Sequence, residues 1–222
     1  MVPDRAYIDV KGKDAVKLLQ GICTQDVTDL GKYGDCIAAA FLTPKGRVLA
    51  DTLVYNMTPG ESVPPTHLVI ETHKSMSAGL VKFLTMFKLR SRATITTGSY
   101  QSVVTLPGRE NKAVSATAAG ADGDEGGVGT ISVQDPRSPT LGTICLSPSP
   151  SDSESETEVG GNSNNHSSSS SSVDRSMYTR YRLLNGIAEG PEIANKIPLE
   201  CNLDLLNYVS FSKGCYVGQV RA

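Results

Sequence analysis

No two of the five cysteines, Cys23, Cys36, Cys145, Cys201 and Cys215, form a CxxC pair, and the three histidines, His67, His73 and His166, are scattered. That spacing argues against a complete zinc or iron–sulfur site built by this chain alone. The odd cysteine count argues against a closed disulfide framework and points to a reducing compartment. Charge of one sign is also lacking in excess: 21 Lys+Arg stand against 23 Asp+Glu, so the electrostatic footprint of a nucleic-acid binder is missing. No apolar run approaches the ~20 residues needed to cross a bilayer. The opening Met1-Val2-Pro3-Asp4-Arg5 shows neither a secretory signal nor an Arg-rich presequence, as in a mature organellar protein. The expectation is a monomer without nucleic-acid or membrane partners. Apolar residues make up only 39% of the 222 residues, low for a globule, but the deficit is concentrated in one stretch.

What is present alternates in period. "AYIDVKG" (Ala6–Gly12) reads as a strand with Tyr7, Asp9 and Lys11 on one face and Ile8 and Val10 on the other. Ala15, Leu18, Leu19 and Ile22 then recur at helical spacing, with Asp14 in the first turn. "CIAAAFLTPKGRVLADTLVY" (Cys36–Tyr55) is a hairpin turning at Pro44 and Gly46. "HLVIETH" is a strand, Leu80, Phe83, Leu84 and Phe87 mark a second helix, and "RATITTG" and "YQSVVTL" alternate as strands. The order β-α-β-β-β-α-β-β predicts an α+β layered fold on a mostly antiparallel sheet. Residues 1–106 form the first part of the domain. Residues 107–173, serine-rich and acidic, read as a mostly disordered insertion with one short strand at Leu141–Leu146. Residues 174–222 resume order, with Tyr178, Tyr181 and Leu184 on one helical face and Gly186 ending the helix.

Two places stand out chemically. In "SKGCYVGQ" (Ser212–Gln219), Lys213 stands two positions before Cys215, and in an extended segment both side chains project to the same side. A nearby ammonium favours the thiolate, which is both nucleophile and metal ligand. Gly214 and Gly218 permit positive φ or close backbone approach. A turn around a half-buried structural cysteine is the other reading. Asp51 lies in a strand with no clearly polar face, and a carboxylate there needs donors. Those donors belong to a ligand, to an arginine such as Arg182, or to solvent at a strand end.

The heptapeptide "KGCYVGQ" resembles the signature of the YgfZ family, relatives of the glycine-cleavage T-protein, and of its eukaryotic branch of mitochondrial iron–sulfur cluster assembly factors. "LLQGICTQDV" (Leu18–Val27), "FLTPKGRVLADTLVY" (Phe41–Tyr55), "RLLNGIAEGPE" (Arg182–Glu192) and "IPLECNLDLLNYVSFSKGCYVGQ" (Ile197–Gln219) resemble further family blocks. The resemblance implies a folate-binding T-protein-like α+β fold with a cavity the size of tetrahydrofolate. It implies a matrix protein that matures 4Fe–4S proteins as an assembly factor, not a turnover enzyme, acting with A-type scaffold proteins. By position, Cys215 is the functional thiol and a ligand to a cluster shared with the partner. Lys213, Gly214, Tyr216, Gly218 and Gln219 complete its motif, and Asp51 and Arg182 face the folate-like cavity. Family members follow Gly-Gln with Glu and a further strand, where this sequence has Val220-Arg221-Ala222, so the family's C-terminal barrel is expected to be absent. The alternatives are a tetrahydrofolate-dependent aminomethyltransferase, for which this heptapeptide is not the expected signature, or a fragment that is nonfunctional or only interacts.

Overall fold

A computed structural model describes residues 4–60, 62–107, 129–149 and 175–219. Its centre is a five-stranded antiparallel sheet. The strands are β1 (Arg5–Lys11), β2 (Cys36–Leu42), β3 (Val48–Asn56), β4 (His67–His73) and β5 (Thr94–Gly98), in the order β2-β3-β4-β1-β5. The hairpin forms as expected: Thr43 N–H donates to Arg47 O (2.8 Å), and Gly46 takes a φ of +71°.

Strand alternation sends alternate side chains to two different cores. Ile8, Val10, Ala39, Phe41, Ala50, Val54, Leu68 and Ile70 face helices α1 (Ala15–Gln20) and α2 (Lys74–Lys88). Ala15, Leu18, Leu19 and Ile22 are all buried there, with Leu80, Phe83 and Leu84 of α2. Tyr7, Ala38, Ala40, Leu53, Tyr55 and Val69 point the other way. That face is covered by a three-stranded sheet, β6 (Tyr100–Thr105), β7 (Ile131–Gln134) and β8 (Thr143–Pro148) in the order β6-β8-β7. Helix α3 (Arg175–Leu184) and the segment through Tyr208 complete the cover. Covering on both sides explains why β3 has no polar face. The α+β, mostly antiparallel class is thus the observed one.

Four local expectations change. The stretch 129–149 supplies two strands, not one, because Ile131 joins Ile144 and Leu146 in the core. Ser147 and Pro148, expected inside the insertion, pair with Gln101 and Tyr100. The rest of the insertion lies outside the described residues. Tyr178 is buried, but Leu184 is 77% exposed, because the helix ends there and Gly186 (φ +73°) turns the chain. Asp14 precedes α1 without capping it; its carboxylate instead accepts from Arg92 N–H and Nε (2.8 and 3.1 Å).

Candidate functional site

The two sequence blocks that flank the cysteine motif meet in space. Thr24 binds both sides of the junction: its N–H donates to Ala40 O (2.9 Å), and its hydroxyl donates to Tyr208 O (2.5 Å). Ser210 N–H returns a bond to Thr24 O (3.0 Å). Gln25 Nε2 donates to Asn207 O (2.6 Å). The loop that follows is pinned at three points. Lys213 Nζ donates to the carbonyls of Gln20, Cys23 and Gln25 at 2.9, 2.8 and 2.9 Å. Val217 N–H donates to Gly21 O (3.2 Å). Gly218, at φ +80°, lies so close to the β2–β3 turn that a Cβ would fall 2.5 Å from Thr43 O.

Lys213 therefore does something the spacing did not suggest. The last carbonyls of a helix lack intrahelical partners and carry negative partial charge. A lysine ammonium has three N–H donors, and all three are engaged, one by Gln20 at the end of α1 and two by Cys23 and Gln25 in the segment after it, with the charge also 5.3 Å from the Tyr216 ring centre. Burial lowers the ammonium's pKa, against the opposing pull of Cys23 and Asp26. No hydrogen bond joins Nζ to the Cys215 thiol among the described residues. The lysine is an anchor that fixes where the thiol sits. Gly214 has open space around the position of a Cβ and does not take positive φ; only Gly218 meets the conformational demand expected of the pair.

Of the five cysteines, Cys215 is exposed, Cys23 and Cys145 are buried, and Cys36 and Cys201 are partly buried. Burial pushes the Cys23 thiol up to about 11. Burial, then the Asp135 and Glu71 charges, raise Cys36 well above the usual thiol value. Burial and Glu200 raise Cys201. Alkylation near neutral pH, mapped by mass spectrometry, is expected to label Cys215 fastest. Lys213→Ala is expected to leave that rate within about threefold. It should expose Cys23 to labelling, since charge-assisted hydrogen bonds of about 1.5–3 kcal/mol are lost. A tenfold slowing at Cys215 with Cys23 still protected would instead make the lysine an activator of the thiol.

Asp51 and Arg182 lie away from the cysteine loop and are not bonded to each other, but both reach the Glu189–Gly190 turn, with Arg182 Nε 3.6 Å from Glu189 Oε2. Asp51 is 2% exposed and accepts from Gly190 N–H (2.9 Å). Burial and the Glu189 charge push its carboxyl up. Arg182 grips Glu192 with two bonds of 2.7 Å and donates to Ile187 O (2.8 Å). Asp51's donor is thus a backbone amide, not this arginine.

Around them lies a buried charge network. Glu189 accepts from Arg5 Nη2 (2.8 Å), Tyr178 OH (2.6 Å) and Arg137 Nη1. Arg137 also forms a fork with Asp135 (2.9 and 2.7 Å). Arg5 Nε reaches Glu71 Oε1 at 3.3 Å, and Glu71 accepts from Tyr55 OH (2.7 Å) and Ser102 Oγ (3.0 Å). Burial opposes ionisation of Glu189, but Arg5 and Arg137 together outweigh it and hold the carboxyl well below the usual range.

The residues expected to hold a folate do not converge. Tyr216, Gly218 and Gln219 line a cavity of about 200 Å³ with Thr24, Leu42 and Val209. Pockets that take drug-sized ligands hold about 300–1,000 Å³. Asp51 and Arg182 do not line this cavity, and both are engaged by protein partners. The donor set does not fit tetrahydrofolate as one site.

These features define an α+β protein that presents one exposed thiol on a loop clamped to a helix end and a hairpin. No family model matches the chain. It is 33% identical over 228 residues to "Iron-sulfur cluster assembly factor IBA57 homolog, mitochondrial" of Mycosarcoma maydis, across 98% of this chain and 51% of the relative. The homologue of Pyricularia oryzae is 32% identical, across 97% and 50%. "Iron-sulfur cluster assembly factor IBA57, mitochondrial" of Mus musculus is 30% identical, across 97% and 58%. The chain is a homologue of these assembly factors, and the resemblance read from its motifs is met at that level. It spans about half the length of the curated relatives it matches. Among solved structures, glycine cleavage system aminomethyltransferase T from Bartonella henselae aligns with a TM-score of 0.48 and 15% identity, over 66% of this chain and 40% of that one.

Proposed function

We propose that the chain acts in the assembly of mitochondrial 4Fe–4S proteins, with Cys215 as one thiolate ligand to a cluster shared with an A-type scaffold protein. The carrying observation is the single exposed thiol of five, on a loop held at Lys213, Val217 and Gly218. A thiolate fixed in position loses little freedom on binding, and the flanking loop atoms leave it open to a partner.

A 4Fe–4S cluster commonly takes four cysteine ligands. Among the described residues, no three His, Cys, Asp or Glu side chains are grouped to hold a metal. One ligand from this chain leaves the others to the partner, and the cluster is cargo rather than a resident cofactor. Coordination releases the thiol proton to solvent. Homology to factors named as mitochondrial supports that compartment. The reading routes no step through a folate.

The test mixes the protein with an A-type scaffold protein, ferrous iron and sulfide without oxygen, and follows the visible absorption of the isolated complex. Cys215→Ser is expected to lose the cluster-bearing complex, and Cys201→Ser to keep it. The same complex from the Cys215 variant would refute the shared-ligand reading.

A further inference from the structure

Cys215 lines a hollow of about 580 Å³, together with Lys13, Lys17, Gln20, Thr28 and Pro64. That volume lies in the range of about 300–1,000 Å³ that receives small ligands. Lys13 and Lys17 are exposed, and neither forms an ion pair among the described residues. Asp14, the carboxylate that lines the same hollow, is already held by Arg92 N–H and Nε at 2.8 and 3.1 Å. Asp26, two residues before Thr28, is taken up by Gln20 Nε2 and Thr28 N–H, both at 3.0 Å. Two ammoniums are therefore left without a counter-charge in the hollow that holds the exposed thiol.

Cys215 is also the one thiol there. Cys23, Cys36, Cys145 and Cys201 are not among the lining residues. Cys23, the cysteine that follows α1, is buried and donates its thiol to Gln25 O (3.3 Å). A bond made at Cys215 Sγ thus meets no second thiol of this chain in the hollow that could displace it.

We infer that this hollow is a thiol-exchange site for small disulfides that carry carboxylates. The inference rests on the reading that Cys215 is a cluster ligand and adds how that ligand is withheld. The Cys215 thiolate attacks one sulfur of the small disulfide. The disulfide's S–S bond breaks, and a new one joins Cys215 Sγ to one half. The other half leaves as a thiolate and takes up a proton equivalent to the one that Cys215 gave to solvent. Cys215 is oxidised, the departing half is reduced, and no further oxidant enters. Lys13 and Lys17 select the reagent: uncompensated positive charge raises the local concentration of an anionic disulfide. A capped sulfur has no thiolate to give a cluster, and the cap stays until an outside thiol removes it. Cluster capture is thereby coupled to the redox state of the small-thiol pool.

The experiment measures the rate of mixed-disulfide formation on the full chain by intact mass, with peptide mapping. The reagents are dithiodipropionate and glutathione disulfide, which are anionic, and cystamine, which is cationic. Each rate is divided by that of N-acetylcysteine amide with the same reagent, which removes intrinsic reactivity. The normalised preference for dithiodipropionate over cystamine is expected to be at least about fivefold, the size that two exposed charge pairs supply. Glutathione disulfide should share it. Lys13→Gln/Lys17→Gln should bring the preference close to one, and salt at about 0.5 M should do the same by screening. Lys32→Gln, outside the hollow, should keep it. Thermal melts check that each variant is folded. A wild-type preference near one, a preference that survives in the double variant, or first attachment at Cys201 overturns the inference. Cluster loss in Cys215→Ser without any charge preference in the wild type sinks the exchange site alone. A charge preference at Cys215 with the cluster complex intact in Cys215→Ser sinks the shared-ligand reading alone.

Discussion

Glu189→Ala is expected to lower stability by about 3–5 kcal/mol, the usual cost of removing one partner from a buried ion pair. The carboxylate is 7% exposed and is shared by Arg5, Arg137 and the Tyr178 hydroxyl. Its loss leaves positive charge in the core that neither Asp135 nor Glu71 fully offsets. A domain has about 5–15 kcal/mol in total, so the variant is near the limit of folding. Urea titration gives the number, and a loss under about 1 kcal/mol would show the network to be dispensable. Acid sensitivity follows from the same geometry. The folded carboxyl titrates below its unfolded value of about 4.3. Its contribution is therefore complete above that pH and is lost as pH falls toward the folded value. Glu189→Gln should flatten the acid limb of the stability profile.

Gly218→Ala should cost of order 1–3 kcal/mol, while Gly214→Ala, three residues before Val217, stays within about 0.5 kcal/mol. At Gly218 a methyl would meet Thr43 O at 2.5 Å and Leu42 Cβ at 2.6 Å, at a φ of +80° that side chains rarely adopt. At Gly214 nothing lies within 4 Å. The first variant should also release the motif from the hairpin, read as faster amide exchange at Tyr216 and Val217. Equal behaviour of the two would mean that the loop does not rest on the β2–β3 turn.

The elements read from period alone were those whose faces differ. In β1, Ile8 and Val10 against Tyr7 and Asp9 specified the strand and its two cores, and the α2 stripe of Leu80, Phe83 and Leu84 specified a helix. Strand β7 escaped because four residues with one fully buried apolar side chain, Ile131, make no periodic signal. The exposed cysteine was legible from its neighbours in sequence. The partner of its lysine was not, because Gln20, Cys23 and Gln25 lie about 190 positions away and offer backbone carbonyls, which have no residue signature. Asp51 raised the right question, but its donor is again a backbone amide. Glu189, Arg137 and Arg5 look like ordinary surface charges in sequence. Only the fold brings them together.

The buried network also sets a schedule for the ribosome. Arg5, Asp51 and Glu71 emerge first, Asp135 and Arg137 next, and Tyr178 and Glu189 after them. At about 5–20 residues per second, roughly 120 residues of translation separate Glu71 from Glu189, a delay of order ten seconds. Until β6–β8 emerge, Tyr7, Leu53, Tyr55 and Val69 form a sheet face without its cover, and until Tyr178 emerges that cover is incomplete. Arg5 then has Glu71 alone of its two carboxylate partners. A nascent chain stalled before Tyr178 is accordingly a half-covered, half-neutralised sheet, and a natural client for a holding chaperone until the segment from Tyr178 to Glu189 arrives.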